Sequence, residues 1–134
     1  MITLDSSAII ALFRARDINH SLALAAVGRA RGPLVIPVAI LSEAAYMLER
    51  WAGPAELDAL LKSVDDAEIL LDCGTEDVPR IRSLVARYKD LPLGFADSAV
   101  IACAERRAGM VLTFDRRHFP VVANEGTIQI VGAV

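Results

Sequence analysis

Short apolar runs recur along the chain, and longer segments of mixed apolar and polar residues separate them. Runs of this length that are rich in Val, Ile and Leu are typical of strands buried in a parallel sheet. The predicted strands are residues 2–4, 34–36, 68–71, 110–114 and 128–131.

The segments between the runs carry apolar residues at every third or fourth position, which is the period of a helix with one buried face. Ser6 and Ser7 offer hydroxyls to cap the first of them, and Gly53 with Pro54 ends another. The last segment is apolar nearly all round, so we expect it to be buried on several sides. The predicted helices are residues 8–13, 21–30, 37–52, 55–64, 76–88 and 95–107.

Strands that alternate with helices pair in parallel through right-handed crossovers. The pattern therefore predicts an α/β fold, a three-layer α/β/α sandwich with a short, mostly parallel sheet. The chain has 134 residues, no internal repeat and no long linker, so we expect one domain over residues 1–134.

Composition narrows the class of protein. Hydrophobic residues make up 54% of the chain and aromatic residues only 5%, which predicts a core of Ala, Val, Ile and Leu. No apolar run reaches the roughly 20 residues of a membrane span, and the start lacks the basic segment of a signal peptide. We expect a cytoplasmic protein without a membrane partner. The net charge of −3 disfavours a general polyanion binder, so nucleic acid would need a local basic patch or a bound cation.

Cys73 and Cys103 fall in different predicted elements, without the spacing of a metal site. We expect free, buried thiols rather than a disulfide.

Four acidic residues occupy positions from which their carboxylates can converge. Asp5 and Asp115 each follow a predicted strand, and ligands of parallel sheets bind outside the carboxyl ends of the strands. Asp97 falls in the first turn of the most apolar helix, where the helix N-terminus favours an acid. Glu43 lies beside the apolar stripe of its helix, from where it can reach a cleft or remain solvated. We expect the four side chains to share one edge of the sheet.

Converging carboxylates repel one another unless some are protonated or a cation joins them. Oxygen ligands suit Mg²⁺ or Mn²⁺, and two such ions about 4 Å apart activate water and stabilise the leaving oxygen of a phosphodiester. Ser6, Ser98 and Thr113 add neutral oxygens beside three of the acids. The pattern predicts a metal-dependent enzyme that acts on phosphodiesters.

Each of these residues also has a simpler interpretation. Asp5 and Asp97 can be helix caps, Glu43 a solvated helix residue, and Asp115 the first residue of a turn. The prediction of a shared site therefore depends on the four acids together.

Arg116 and Arg117, which follow the last of the four acids, either hold RNA phosphates or belong to a solvated loop. We expect His118 to be a packed or surface imidazole rather than a catalytic base. Trp51 is interpreted as a core or interface residue rather than a base-stacking group.

Four sequence blocks resemble one known family. They read LDSSAIIALF, SEAAYMLER, LPLGFADSAVIACAER and LTFDRRHF, and their order and separations match over essentially the whole chain. The chain resembles the PIN-domain ribonucleases, and in particular the VapC-type toxins of bacterial toxin–antitoxin pairs. The resemblance implies Mg²⁺- or Mn²⁺-dependent cleavage of RNA, homodimerisation and inhibition by an antitoxin protein. It places the acidic site on Asp5, Glu43, Asp97 and Asp115, with Asp90 as a possible further acid.

Two other classes of function remain as alternatives. One is a catalytically silent binding module with the same fold. The other is a phosphoacceptor signalling domain, in which Asp72 at the end of the third strand would accept the phosphoryl group. That class is disfavoured because Ser6 rather than a second acid follows Asp5, and because no lysine follows Lys89.

Overall fold

The structure, a computed structural model, describes residues 1–132. Within these residues the chain forms one five-stranded sheet in which every pair of neighbouring strands is parallel, in the order β3-β2-β1-β4-β5. The predicted α/β fold with a parallel sheet is confirmed. The strands are β1 (Ile2–Leu4), β2 (Leu34–Pro37), β3 (Ile69–Asp72), β4 (Met110–Leu112) and β5 (Gln129–Val131).

The helices occupy the crossovers between these strands, as the periodicity predicts. A single turn of 3₁₀-helix, Thr75–Asp77, precedes the fifth α-helix. The α-helices are α1 (Ser6–Phe13), α2 (His20–Arg29), α3 (Val38–Ala52), α4 (Pro54–Asp65), α5 (Val78–Arg87), α6 (Gly94–Arg106) and α7 (Phe119–Ala123).

The centre of the fold is the strand β1, which is buried over its whole length. Because successive side chains of a strand point to opposite faces, complete burial means that both faces of the sheet are covered, as in a three-layer sandwich. α1 contacts β1, and α6 contacts β1, β2 and β4. Residues 98–104 of α6 are all buried, which confirms the prediction from its apolar circumference.

Several boundaries of helices and strands differ from the predictions. Asp5 rather than Ser6 or Ser7 caps α1, because its carboxylate accepts the backbone N–H of Ala8. Pro37 ends β2 instead of entering α3. β4 ends at Leu112, so residues 113–115 form a loop.

The helix α7 was not predicted, because its five residues are too few to show a helical period. Cys73 and Cys103 are free, as predicted, but only Cys103 is buried. Among the described residues, none of the helices has the length and hydropathy that a bilayer span requires.

Candidate active site

The loops after β1 and β4 bring the first two acids together. These strands are neighbours, and the backbone N–H of Asp5 donates to the carbonyl of Leu112 at 3.3 Å. The Thr113 hydroxyl, just beyond β4, donates to Asp5 Oδ2. Parallel pairing therefore holds the carboxyl ends of both strands, and the acids that follow them, at one edge of the sheet.

Asp5 is almost completely buried and strongly hydrogen-bonded. The residue is 5% exposed. Its Oδ1 accepts the Ala8 N–H at 2.9 Å and the Ser7 hydroxyl at 2.7 Å. Burial raises the pKa of Asp5, and the hydrogen bonds from Thr113, Ala8 and Ser7 offset only part of that rise. Asp5 is thus both the helix cap that the simpler interpretation expected and a member of the acidic edge.

Asp115 is held by the turn that follows it. Its Oδ1 accepts the backbone N–H groups of Arg117 at 2.7 Å and His118 at 3.0 Å, and Nδ1 of His118 lies 2.8 Å from Oδ2. Burial alone would raise the pKa of Asp115, but the hydrogen bonds outweigh it and the pKa is lowered. The carboxylate is therefore fixed in its ionised form.

Asp97 lies in the first turn of α6 and faces the same place. Its Oδ2 is 3.8 Å from Nδ1 of His118. The pKa of Asp97 is raised to about 6, chiefly by burial and then by the charge of Asp115, while His118 lowers it in part. The charges of Asp5 and Glu43 add to the rise, so this carboxylate responds to all three of the other acids.

One cleft of about 360 Å³ receives all four predicted acids. Glu43, which is exposed, reaches it from α3. The convergence expected from the sequence is therefore present in the geometry. Other described residues that line the cleft are Ser6, Ser7, Ile10, Asp17, Asn19, Ile40, Met47, Trp51, Ala96 and Val100.

The predicted accessory residues divide between the cleft and its surroundings. Ser6 lines the cleft, and Thr113 supports it through Asp5. Ser98 is buried and donates its hydroxyl hydrogen to the Gly94 carbonyl at 2.6 Å. Asp90 is exposed in the turn between α5 and α6. Neither Ser98 nor Asp90 is among the described residues that line the cleft.

The predicted RNA-contacting residues Arg116 and Arg117 are exposed in the turn directly after Asp115. This position is beside the cleft, and the described lining does not include either side chain.

Two supporting side chains were missed by the sequence interpretation. The Ser7 hydroxyl donates to Asp5 and accepts the Phe114 N–H at 3.0 Å, so it ties the loop after β1 to the loop after β4. His118 was expected to be packed or at the surface, yet it contacts two of the acids. The signal for Ser7 was the hydroxyl next to Asp5, but spacing alone does not distinguish a helix cap from a link between loops.

A second acidic cluster, beside the end of β3 and outside the described lining of the cleft, is already paired with arginines. The Arg106 guanidinium donates to both carboxylate oxygens of Asp72, at 2.7 and 3.0 Å, and also to Asp77. Arg107 adds a further hydrogen bond to Asp72 at 2.6 Å. The hydrogen bond from Arg106 is the largest cause that lowers the pKa of Asp72. A carboxylate held in this way is a poor phosphoacceptor, which weakens the signalling alternative.

The chemistry of the cleft fits a divalent cation. Oxygen atoms of Asp97 and Asp115 and a ring nitrogen of His118 lie within 4.8 Å of one another. Asp5 and Glu43 add negative charge to the same cleft. Burial is the main cause of the raised pKa of Asp97, and repulsion from the other three acids adds to it. A cation relieves such repulsion, and carboxylate oxygens are the ligands that hard cations prefer.

Comparison with known proteins shows the family and the fold of the chain. Ribonuclease VapC26 of Mycobacterium tuberculosis is 31% identical to the chain over 118 residues, which are 87% of this chain and 87% of the relative. The crystal structure of Mycobacterium tuberculosis VapC20, a sarcin-ricin loop cleaving toxin, superimposes with a TM-score of 0.79. That match covers 90% of this chain and 95% of the other at 19% identity, so it shows a common fold. The PIN domain family matches residues 2–125, and the chain therefore belongs to the PIN domain family.

Proposed function

We propose that the chain is an endoribonuclease that depends on Mg²⁺ or Mn²⁺, and that it is the toxin of a toxin–antitoxin pair. The observation that carries this proposal is the meeting of four acids from distant parts of the sequence in one cleft. Membership of the PIN domain family and the similarity to a VapC ribonuclease support it.

In this proposal Asp5, Glu43, Asp97 and Asp115 hold the metal at the carboxyl edge of the sheet. Bound Mg²⁺ or Mn²⁺ supplies an activated water and stabilises the leaving oxygen of the phosphodiester. Such ions keep several waters and are bound by a few carboxylates together with phosphate oxygens of the substrate.

The surrounding residues fix the acids in position before substrate arrives. Ser7, Thr113 and the N–H of Ala8 orient Asp5, and the turn at His118 orients Asp115. Hydrogen bonds of this kind around metal ligands set their geometry and their affinity for the metal. The exposed Arg116 and Arg117 are placed to contact the phosphates of bound RNA beside the cleft.

A cleavage assay tests this function. Purified wild-type protein should cut RNA with Mn²⁺ or Mg²⁺ and not with EDTA, while Asp97→Asn and Asp5→Asn should lose at least about 100-fold in rate. Glu43→Gln removes the charge of the exposed acid. Glu49→Gln on the same helix is the matched control and should cleave normally, because Glu49 is exposed and is not one of the described residues that line the cleft.

The alternative of a silent binding module makes the opposite prediction. A module of that kind would bind RNA equally well in all these variants and would cut none of it. Metal-dependent cleavage that survives Asp5→Asn and Asp97→Asn together would instead show that the activity belongs to a contaminant or to another site.

The partners follow from the same proposal. We expect an antitoxin protein, encoded beside the chain, to copurify with it and to suppress cleavage, and we expect the free toxin to be a homodimer in the cytoplasm. Light scattering after size-exclusion chromatography measures the oligomeric state. A strictly monomeric protein would contradict the homodimer and leave the nuclease proposal intact.

A further inference from the structure

Trp51 is the single tryptophan of the chain, and it is not in the core. It lies in the last turn of α3, is 52% exposed and lines the acidic cleft. A large aromatic side chain that contributes mainly to the core would be almost completely buried, as Leu48 is one turn earlier. Of the two interpretations from the sequence, core or interface residue, the exposure excludes the first.

One row of α3 side chains connects this ring to the acids. Glu43, Met47 and Trp51 follow one another at intervals of four residues, so they lie along the same side of the helix, and all three line the cleft. At 1.5 Å per residue, Trp51 lies about 12 Å along the axis from Glu43. The ring is thus beside the reaction centre, where a neighbouring nucleotide of a bound strand would lie.

Trp51 also borders a second cavity, of about 290 Å³, whose lining is basic. Arg14 and Arg16, from the turn after α1, line it together with Glu56. Within the described part of the chain, neither guanidinium forms a salt bridge, with Glu56 or with any other acid. Two cations therefore remain available to an anionic ligand in the cavity that shares the Trp51 ring with the acidic cleft.

We infer that Trp51 stacks on a base of single-stranded RNA adjacent to the nucleotide that is cut, and that Arg14 and Arg16 bind the phosphates beyond it. This rests on the proposed ribonuclease function and adds to it a recognition site for the neighbouring nucleotide. An aromatic face next to cationic side chains is the usual combination for single strands, whose unstacked bases are free to stack on protein. With a net charge of −3, the binding of RNA depends on such local contacts or on a bound cation.

Because the chain has one tryptophan, its fluorescence reports on this ring alone. The experiment titrates a single-stranded oligoribonucleotide into the Asp97→Asn variant, in EDTA, so that neither cleavage nor metal loading affects the reading. We expect quenching on binding. An oligonucleotide in which one position lacks its base should quench less when that position is the one beside the cleavage site.

Affinity gives the second measurement in the same Asp97→Asn background. Trp51→Ala should raise Kd about 5- to 150-fold, the range for one stacked base, and Trp51→Phe should recover much of the loss. Tyr46→Ala is the matched control, because Tyr46 lies on the same helix, is 63% exposed and is outside the described lining of the cleft. Circular dichroism checks that each variant is folded.

Salt dependence tests the arginines. Replacing Arg14 and Arg16 together with Gln should flatten the plot of log K against log salt by about 1.4, or about 0.7 for each phosphate contact. Arg82→Gln, at an exposed position of α5, should leave the slope unchanged. An unchanged slope for the double variant would remove the arginines from the site.

The outcomes separate this inference from the proposed function. Two results together would overturn the inference: no change in Trp51 fluorescence when RNA binds to Asp97→Asn, and no change in Kd when Trp51→Ala is added to that variant. The ring would then be assigned to a protein interface. If wild-type protein cleaves RNA in that case, the ribonuclease proposal stands. If wild-type protein cleaves nothing, the ribonuclease proposal fails, whatever the fluorescence shows.

Discussion

Individual side chains in the cleft show how one residue serves structure and chemistry together. Asp5 caps α1 through the Ala8 N–H and also joins the acidic edge, so neither interpretation excludes the other. Asp97 and Asp115 have pKa shifts of opposite sign, because Asp115 accepts hydrogen bonds from its own turn whereas Asp97 is buried beside like charges. The ionised form of Asp97 is therefore under electrostatic strain in the metal-free protein.

Removing that strain should stabilise the metal-free protein. The pKa of Asp97 is raised from 3.8 to about 6, so its ionisation destabilises the fold above about pH 6, and this cost disappears as the pH falls toward 4. Asp97→Asn should raise the free energy of unfolding by on the order of 2 kcal/mol at pH 7 in EDTA. Urea denaturation at pH 7 and pH 4.5 measures this. If Asp97→Asn is less stable than wild type at pH 7, ionised Asp97 does not destabilise the metal-free fold.

The Ser7 hydroxyl should control the affinity for the metal through Asp5, without contacting the metal itself. Ser7→Ala removes hydrogen bonds both to Asp5 and from Phe114. We expect it to weaken Mn²⁺ binding by about 10- to 100-fold, the usual effect of losing a partner of a metal ligand. Isothermal titration calorimetry measures the affinity, with Ser83→Ala, at an exposed position of α5, as the control. Equal Mn²⁺ affinity in both variants would show that Ser7 does not position Asp5.

Among the elements, α6 has a distinct role at each end. Its first turn carries Asp97 into the cleft, and its last turn carries Arg106 to the buried Asp72 and Asp77. The arginine contacts fix the far end of the helix against the segment that follows β3. The position of α6, and with it the position of Asp97, therefore depends on an ion-pair network outside the cleft.

Breaking that network should cost stability. Arg106→Gln leaves Asp72, which is 3% exposed, without its main partner, and we expect a loss on the order of 3 kcal/mol. The lowered pKa of Asp72 means that this stabilisation is present above pH 3.8 and is lost as the pH falls through the folded-state value. Urea denaturation at pH 7 measures the loss, and Arg82→Gln should change stability by less than about 0.5 kcal/mol. A difference that does not shrink as the pH is lowered below 3.8 would contradict the role of Asp72.

For the molecule as a whole, the order of strands and helices could be predicted from the sequence. Strands appear as short apolar runs, helices as apolar residues at every third or fourth position, and polar or glycine and proline residues mark several of the boundaries. Apolar runs and helical stripes predicted the parallel sheet, and the rule for the carboxyl ends of strands predicted where Asp5 and Asp115 would meet. Position along the chain does not define an exposed surface, so the sequence left Trp51 as either a core or an interface residue and did not place it at the cleft. Contacts between distant loops, such as Ser7 with Phe114, likewise depend on tertiary packing that no local pattern records.

Binding of Mn²⁺ to the purified chain at pH 7.5, followed by isothermal titration calorimetry, tests the meeting of the four acids most directly. We expect saturable binding to wild-type protein and an affinity at least about 10-fold weaker in Asp97→Asn. Asp58→Asn, at an exposed position of α4, should bind as wild type does. Absence of binding to wild-type protein, or equal binding to Asp97→Asn, would contradict a metal centre in this cleft.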